Sequence, residues 1–141
     1  MADKKENLNE EIQRVLQEKS LQLILLDNQL KKIEEQYRIL DEHITNIYLT
    51  RQNLDKIKKA NEIFAGVAEG IFIKANITDK QKVLVNVGKG IVIETTIEEA
   101  KRILDARMEN LAMIKVMLSK EAEKILNEIE TMEKTIKELT K

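Results

Sequence analysis

The apolar positions of this chain fall into three stretches with two different periods. From Asn9 to Asn61 they recur every seven residues. With Leu16 at position a, the a series is Asn9, Leu16, Leu23, Leu30, Tyr37, Ile44, Arg51 and Lys58. The d series is Ile12, Lys19, Leu26, Ile33, Leu40, Ile47, Leu54 and Asn61. The polar exceptions gather towards the two ends. Such a seam predicts a coiled-coil helix over 9–61. With no Gly or Pro to interrupt it, the helix would extend roughly 80 Å. A globule of this chain length has a radius of about 14–15 Å, so the helix is expected to project as an arm.

Over 62–95 the period changes to two. Ile71, Ile73, Ala75 and Ile77 share one face, and so do Val83, Val85 and Val87, with Ile91 and Ile93 following. β-branched residues in alternation predict strands. Thr78–Lys82 supplies one turn and Gly88-Lys89-Gly90 a tighter one. Ile63–Val67 adds a fourth strand that Gly66–Gly70 turns into the next. Two consecutive hairpins are the expectation. Phe72, Leu84 and Val92 lie opposite the main apolar row, so both faces need cover. Hairpins also leave open edges. Pairing with other subunits meets both needs. It marks Ile71, Phe72, Ile73, Val83, Leu84, Val85, Val87, Ile91, Val92 and Ile93 as oligomerisation residues.

The seven-residue period returns over 96–139. Thr96-Ile97-Glu98-Glu99 fits a capping box, with Thr96 as N-cap. Position a is Ile97, Leu104, Leu111, Leu118, Ile125, Met132 and Leu139, all apolar. Its partner drifts from d (Ala100, Ile114) to e (Met108, Ala122, Ile129, Ile136). A drifting stripe still packs on one other helix. The two arms therefore predict an antiparallel helical hairpin with the β segment as its head. Leu30, Tyr37 and Leu40 should meet the second arm around Leu118 and Ile125. If Asn61 lies near Ile97, Lys141 falls opposite Gln17, and the residues before it overhang.

Some apolar residues escape the seam. Leu21, Ile24 and Leu25 fall at f, b and c, and Val15 at g. One reading is a wider interface or packing on a neighbouring subunit; the other is an exposed interaction patch. The overhang would leave Leu8, Ile12 and Val15 uncovered. Ile129, Met132, Ile136 and Leu139 occupy the same end of the other arm. These ten residues are the candidates for holding exposed apolar chain, against the plainer reading that they pack on one another and fray.

Composition narrows the classes. The chain has 141 residues, with 24 Lys+Arg against 25 Asp+Glu and a net charge of −1, so no polycation is available for nucleic acid. Both arm ends are mildly acidic, which makes nucleic acid a poor partner there too. There is no Cys, hence no disulfide and no thiolate metal site. No apolar run is long enough to span a membrane. Met1–Asn9 is polar and charged, unlike a signal peptide, so a soluble, cytoplasmic chain is expected.

Catalytic chemistry finds little material. The one histidine, His43, sits at position g beside the seam and reads as solvated or partner-facing. Ser20 and Ser119 have no histidine nearby in the expected pairing, so no triad forms. Val87-Gly88-Lys89-Gly90 lacks the Ser or Thr of a phosphate loop and leads into a strand, so it reads as a turn. The pairs Glu10-Glu11, Glu34-Glu35 and Glu98-Glu99 read as solvated helix faces. Met108, Met113, Met117 and Met132 read as packing. No enzyme, cofactor or metal is expected.

The order helix, two hairpins, helix, with Gly70-Ile71-Phe72-Ile73-Lys74-Ala75-Asn76-Ile77, Asp79 and Lys82–Gly90, resembles the alpha-class subunits of the prefoldin family, archaeal type. The resemblance covers nearly the whole chain. It implies an α+β fold: a long antiparallel helical coiled coil with two central β-hairpins forming an oligomerisation head, one domain over 1–141. It implies an ATP-independent holdase that binds unfolded proteins at its coiled-coil tips and hands them to a chaperonin. Its partners would be other prefoldin subunits, in a hexamer with beta-class subunits or by self-assembly. One feature departs from the family: Ala65-Gly66-Val67-Ala68 stands where Val-Pro-Leu-Gly is usual. A divergent, filament-forming member fits that departure. The competing reading is a structural coiled-coil scaffold assembled through its hairpins.

Overall fold

The computed structural model describes residues 2–141; residue 1, the first of the domain expected over 1–141, lies outside the described residues. The elements are α1 (Ala2–Lys59), β1 (Glu62–Ala68), β2 (Ile71–Asn76), β3 (Lys82–Gly88), β4 (Ile91–Thr96) and α2 (Ile97–Leu139). The architecture is the expected α+β one: two long helices with two antiparallel hairpins between them in the chain. Helix α1 begins well before Asn9. Its first residues carry no apolar period, yet Lys, Glu and Leu are good helix formers. Two compact units divide the chain. One takes in the chain up to Leu40 with Met113–Lys141; the other is Asp41–Ala112.

In the Asp41–Ala112 unit the core is Ile47, Leu54, Ile97, Ala100 and Leu104. Ile57, Val83, Val85, Met108 and Leu111 pack against it. Helix–helix cover at the a and d positions thus joins the inner face of the second hairpin. Three cross-helix ion pairs keep one antiparallel register: Arg51–Asp105 at 2.8 Å, Lys101–Asp55, and Lys58–Glu98. Steps of four and three up α1 from Arg51 to Asp55 to Lys58 are matched by the same steps down α2. Arg51 and Lys58 are two of the polar exceptions in the a series, and both find an acidic partner. Thr96 caps α2 as expected, its hydroxyl accepting from the Glu99 N–H at 3.1 Å. The Glu99 carboxylate turns to Arg102 instead of closing the box.

Hydrogen bonds from Lys101 to Asp55 and from Lys58 to Glu98, reinforced by the ammonium charges, hold both carboxyls below the usual range. A carboxyl whose folded pKa lies below its unfolded value adds stability above the unfolded pKa. That stability is lost as pH falls through the folded pKa. The loss is therefore expected below about pH 4, and it is modest because both carboxylates are more than half exposed. Thermal unfolding followed by circular dichroism at pH 7 and pH 3 checks this. An Asp55→Asn/Glu98→Gln variant should lose less on acidification than the parent; an equal loss refutes the assignment.

In the other unit α1 keeps a strict seven-residue seam. Ile12, Leu16, Lys19, Leu23, Leu26, Leu30, Ile33, Tyr37 and Leu40 are covered or half-covered, and every residue between them is exposed. Ile33 and Ile125 are its buried residues. The Lys115 ammonium stands 4.8 Å from the centre of the Tyr37 ring, a cation–π contact. Lys115 occupies the seam position expected for Ile114, and Ile114 is exposed. The α2 seam takes two consecutive steps of four, Ala100 to Leu104 to Met108, then alternates three and four to Leu139. The drift from d to e is thus one phase shift completed by Met108, the stutter that locally unwinds a coiled coil.

Candidate functional site

The two hairpins carry the chain's largest exposed apolar side chains. β1 pairs with β2 from Glu62↔Asn76 to Ala68↔Ile71, and β3 with β4 from Lys82↔Thr96 to Gly88↔Ile91. Each pairing slips at one bulge, between Gly66 and Ala68 and between Asn86 and Gly88. Val67 and Val87 are the extra residues, so the alternation read through Val87 breaks there. Gly70 (φ 77°) and the Lys89-Gly90 pair (φ 51° and 74°) close the two turns in the left-handed region. Among the described residues no strand ladder joins one hairpin to the other, so each two-stranded sheet leaves its edges open.

The faces of each hairpin differ in cover. Ile63 and Ala65 on β1, and Val83 and Val85 on β3, are half-buried. On the opposite face Phe64, Phe72 and Leu84 are 71%, 64% and 73% exposed, and Val92 is also open. Ile71, Ile73, Val87, Ile91 and Ile93 are exposed as well. Of the ten expected oligomerisation residues, Val83 and Val85 therefore contribute to the chain's own core and the other eight are exposed: Phe72, Leu84 and Val92 on the outer face, Ile73 and Ile93 on the same face as Ala65 and Val85, and Ile71, Val87 and Ile91 next to the turns. Phe64 and Val67 belong with the eight; the sequence reading placed them in a strand without assigning them a role.

Polar contacts fix the hairpins in place. The Asp79 carboxylate accepts from the N–H groups of Gln81 and Lys82, closing the turn between the hairpins. Lys80 reaches the Asn61 side chain at 2.5 Å. The Ile77 N–H donates to the Asn61 carbonyl and the Ile97 N–H to the Gln81 carbonyl, so each hairpin is closed at its base. Arg107 on α2 donates to the Asn86 carbonyl at 2.6 Å, beside the bulge of β3. Nothing in the sequence marks this contact: Arg107 falls at position d, where the apolar stripe has already moved to Met108 at e.

The second surface lies on α1. Leu21, Ile24 and Leu25 are 61%, 59% and 58% exposed; Leu8 and Val15 are exposed too. Ile12, Ile129, Met132, Ile136 and Leu139 are half-buried along the seam. Lys19 shares a groove of about 550 Å³ with Lys124, Asn127, Glu128, Thr131, Met132 and Thr135. Cover on α1 thus reaches further towards the N-terminus than the expected overhang, and Ile12 is partly shielded. Met113 and Met117, for which the sequence predicts packing, are 65% and 68% exposed, beside Val116. The phase shift of the α2 seam turns them outward. His43, Ser20 and Ser119 are all exposed. Among the described residues no group of three or more acidic or histidine side chains could hold a metal, and no helix is long and apolar enough to cross a membrane.

Two long helices with two hairpins between them in the chain, and apolar side chains exposed on the strands, are the fold of an assembly subunit. The chain belongs to the prefoldin family: the family model for the prefoldin subunit matches residues 26–141. Members of this family are chaperones, not enzymes. Among its relatives is a prefoldin subunit alpha of Methanococcus vannielii, 25% identical over 124 residues, covering 86% of this chain and 81% of the relative. Another is the prefoldin subunit alpha of Thermofilum pendens, 26% identical over 94 residues, covering 67% and 73%. The fold is also that of filamentous PFD from Methanocaldococcus jannaschii, solved by cryo-EM. There the TM-score is 0.69 at 20% identity, over 76% of this chain and 91% of the other.

Proposed function

We propose that this chain is a subunit of an ATP-independent holdase that self-assembles through its hairpins and holds unfolded proteins on its helices. The observation that carries the reading is the patch Leu21, Ile24 and Leu25. These residues stand more than half exposed on a helix whose seam is already filled elsewhere. Exposed apolar surface attracts the exposed apolar chain of an unfolded protein. Burying one Leu-sized side chain contributes about 1.5–3 kcal/mol at most. Single subunits would therefore hold weakly, and several on one platform would act together through effective concentration. The outward hairpin residues supply that platform. The filamentous relative of the same fold supports an open self-assembly; hand-over to a chaperonin and a cytoplasmic site of action accompany the reading.

The test is a Leu21→Ser/Ile24→Ser/Leu25→Ser variant, alongside chains lacking residues 1–19 or 126–141. Aggregation of a chemically denatured client is followed without nucleotide, and particle mass is measured in parallel. Holding is expected to fall severalfold in the triple variant while assembly size persists. Full holding by all three would remove these helix surfaces from the reading, and a parent that never suppresses aggregation would leave an inert scaffold.

A further inference from the structure

All the sulfur in this chain is methionine, because there is no cysteine. Four of its five methionines, Met108, Met113, Met117 and Met132, lie on α2. They fall into two kinds. Met108 packs against the core of the Asp41–Ala112 unit, and Met132 is half-buried where it lines the Lys19 groove. Met113 and Met117 are exposed one turn apart, with Val116 exposed beside them. The covered positions of these turns belong to Leu111, Lys115 and Leu118.

Neither packing nor helix propensity requires methionine at positions 113 and 117. Both side chains lie off the seam, and lysine, glutamine or glutamate would serve the helix about as well. Nearby turns carry such residues: Glu109, Lys120 and Glu121 are exposed. What methionine adds is a thioether, whose sulfur takes up oxygen from a peroxide. Thiolates, which compete for the same oxidants in other chains, are absent here.

We infer that Met113 and Met117 are a peroxide-reactive pair, a modification site at which oxidation to sulfoxides turns the Met113, Val116 and Met117 stripe from apolar to polar while the fold persists. At each residue a sulfur lone pair attacks one oxygen of hydrogen peroxide, and the O–O bond breaks. An S–O bond forms and sulfur gives up two electrons. The other oxygen leaves as water with both protons. The product is a neutral but polar side chain. Neither sulfur is buried, so no core contact is lost and the covered stripe of α2 keeps its partners. Oxidation of Met108 would act differently, setting a polar sulfoxide against the core of Ile97, Ala100 and Leu104. Exposure thus sorts the four sulfurs into a surface pair that reacts in the folded chain and two that are shielded. The change is reversible, because epimer-specific methionine sulfoxide reductases restore the thioether.

The experiment treats the full chain with hydrogen peroxide and follows each methionine by peptide mass analysis. Met113 and Met117 are expected to oxidise roughly fivefold faster than Met108 and Met132. With the pair alone oxidised, circular dichroism should give the helix content and unfolding temperature of the untreated chain. Retention on a hydrophobic-interaction column should fall, and the two reductases together should restore it. A Met113→Leu/Met117→Leu variant should keep its retention through the same treatment. Equal rates at the four sulfurs would overturn the inference, and so would loss of helix on oxidation of the pair. A leucine variant whose retention falls as far as the parent's would place the change elsewhere and overturn it as well. None of these readouts depends on client holding, so their failure leaves the proposed function untouched.

Discussion

Replacing Ile97 by alanine is expected to destabilise the Asp41–Ala112 unit by about 2–5 kcal/mol, the usual cost of emptying a large aliphatic site in a core. Ile97 is 2% exposed and lies with Ile47, Leu54, Ala100 and Leu104. It is also the first residue of α2, and its N–H closes the base of the second hairpin on the Gln81 carbonyl. Few neighbours can move in to fill the space, because the residue is pinned between a strand end and a helix start. Chemical denaturation monitored by circular dichroism gives the change directly. A loss under about 1 kcal/mol would mean that the site collapses freely, which a rigid core does not allow.

A Phe64→Asp/Leu84→Asp chain is expected to remain folded and to be monomeric at concentrations where the parent is assembled. Both side chains are more than two-thirds exposed in the isolated chain, so the substitutions remove no internal packing. In an assembly that covers these faces each aspartate would be an unpaired charge out of water, at several kcal/mol. Sedimentation velocity measures the mass and circular dichroism the helix content. Parent-like particles from this variant would remove the outer hairpin faces from the interface. Val85→Asp is a poorer probe, because Val85 packs against the chain's own core and its loss would confound folding with assembly.

The helical parts were legible because one physical constraint set them. A helix covered along one stripe must repeat its apolar residues every three or four positions, and α1 does so from Ile12 to Leu54 with Lys19 and Arg51 as the exceptions. The first turns of α1 were missed because nothing there is buried, which leaves propensity alone to speak. Ile114 was misplaced for a different reason. A seam assigned by apolar identity could not anticipate that Lys115, with a ring to stand on, would occupy the covered position. The strands were legible from alternation, and their bulges were not, because an extra residue leaves no local mark in a valine-rich run. The eight exposed hairpin residues and the Leu21 patch could be named from sequence as unpartnered surface. Arg107 could not, since its partner is a backbone carbonyl, Asn86, on another element.

The cross-helix ion pairs also set an order of closure. Lys58–Glu98, Asp55–Lys101 and Arg51–Asp105 are separated along the chain by 40, 46 and 54 residues. The hairpins between them need only near-neighbour contacts, so they can form before the helices meet. Once they have, Lys58 and Glu98 are the nearest of the three pairs to bring together. Going on to Arg51–Asp105 adds only about 0.3 kcal/mol of loop entropy on a simple chain estimate. The helix pair of this unit is therefore expected to zip away from the strands in small steps and to unzip in the reverse order, with Arg51–Asp105 the first of the three pairs to open.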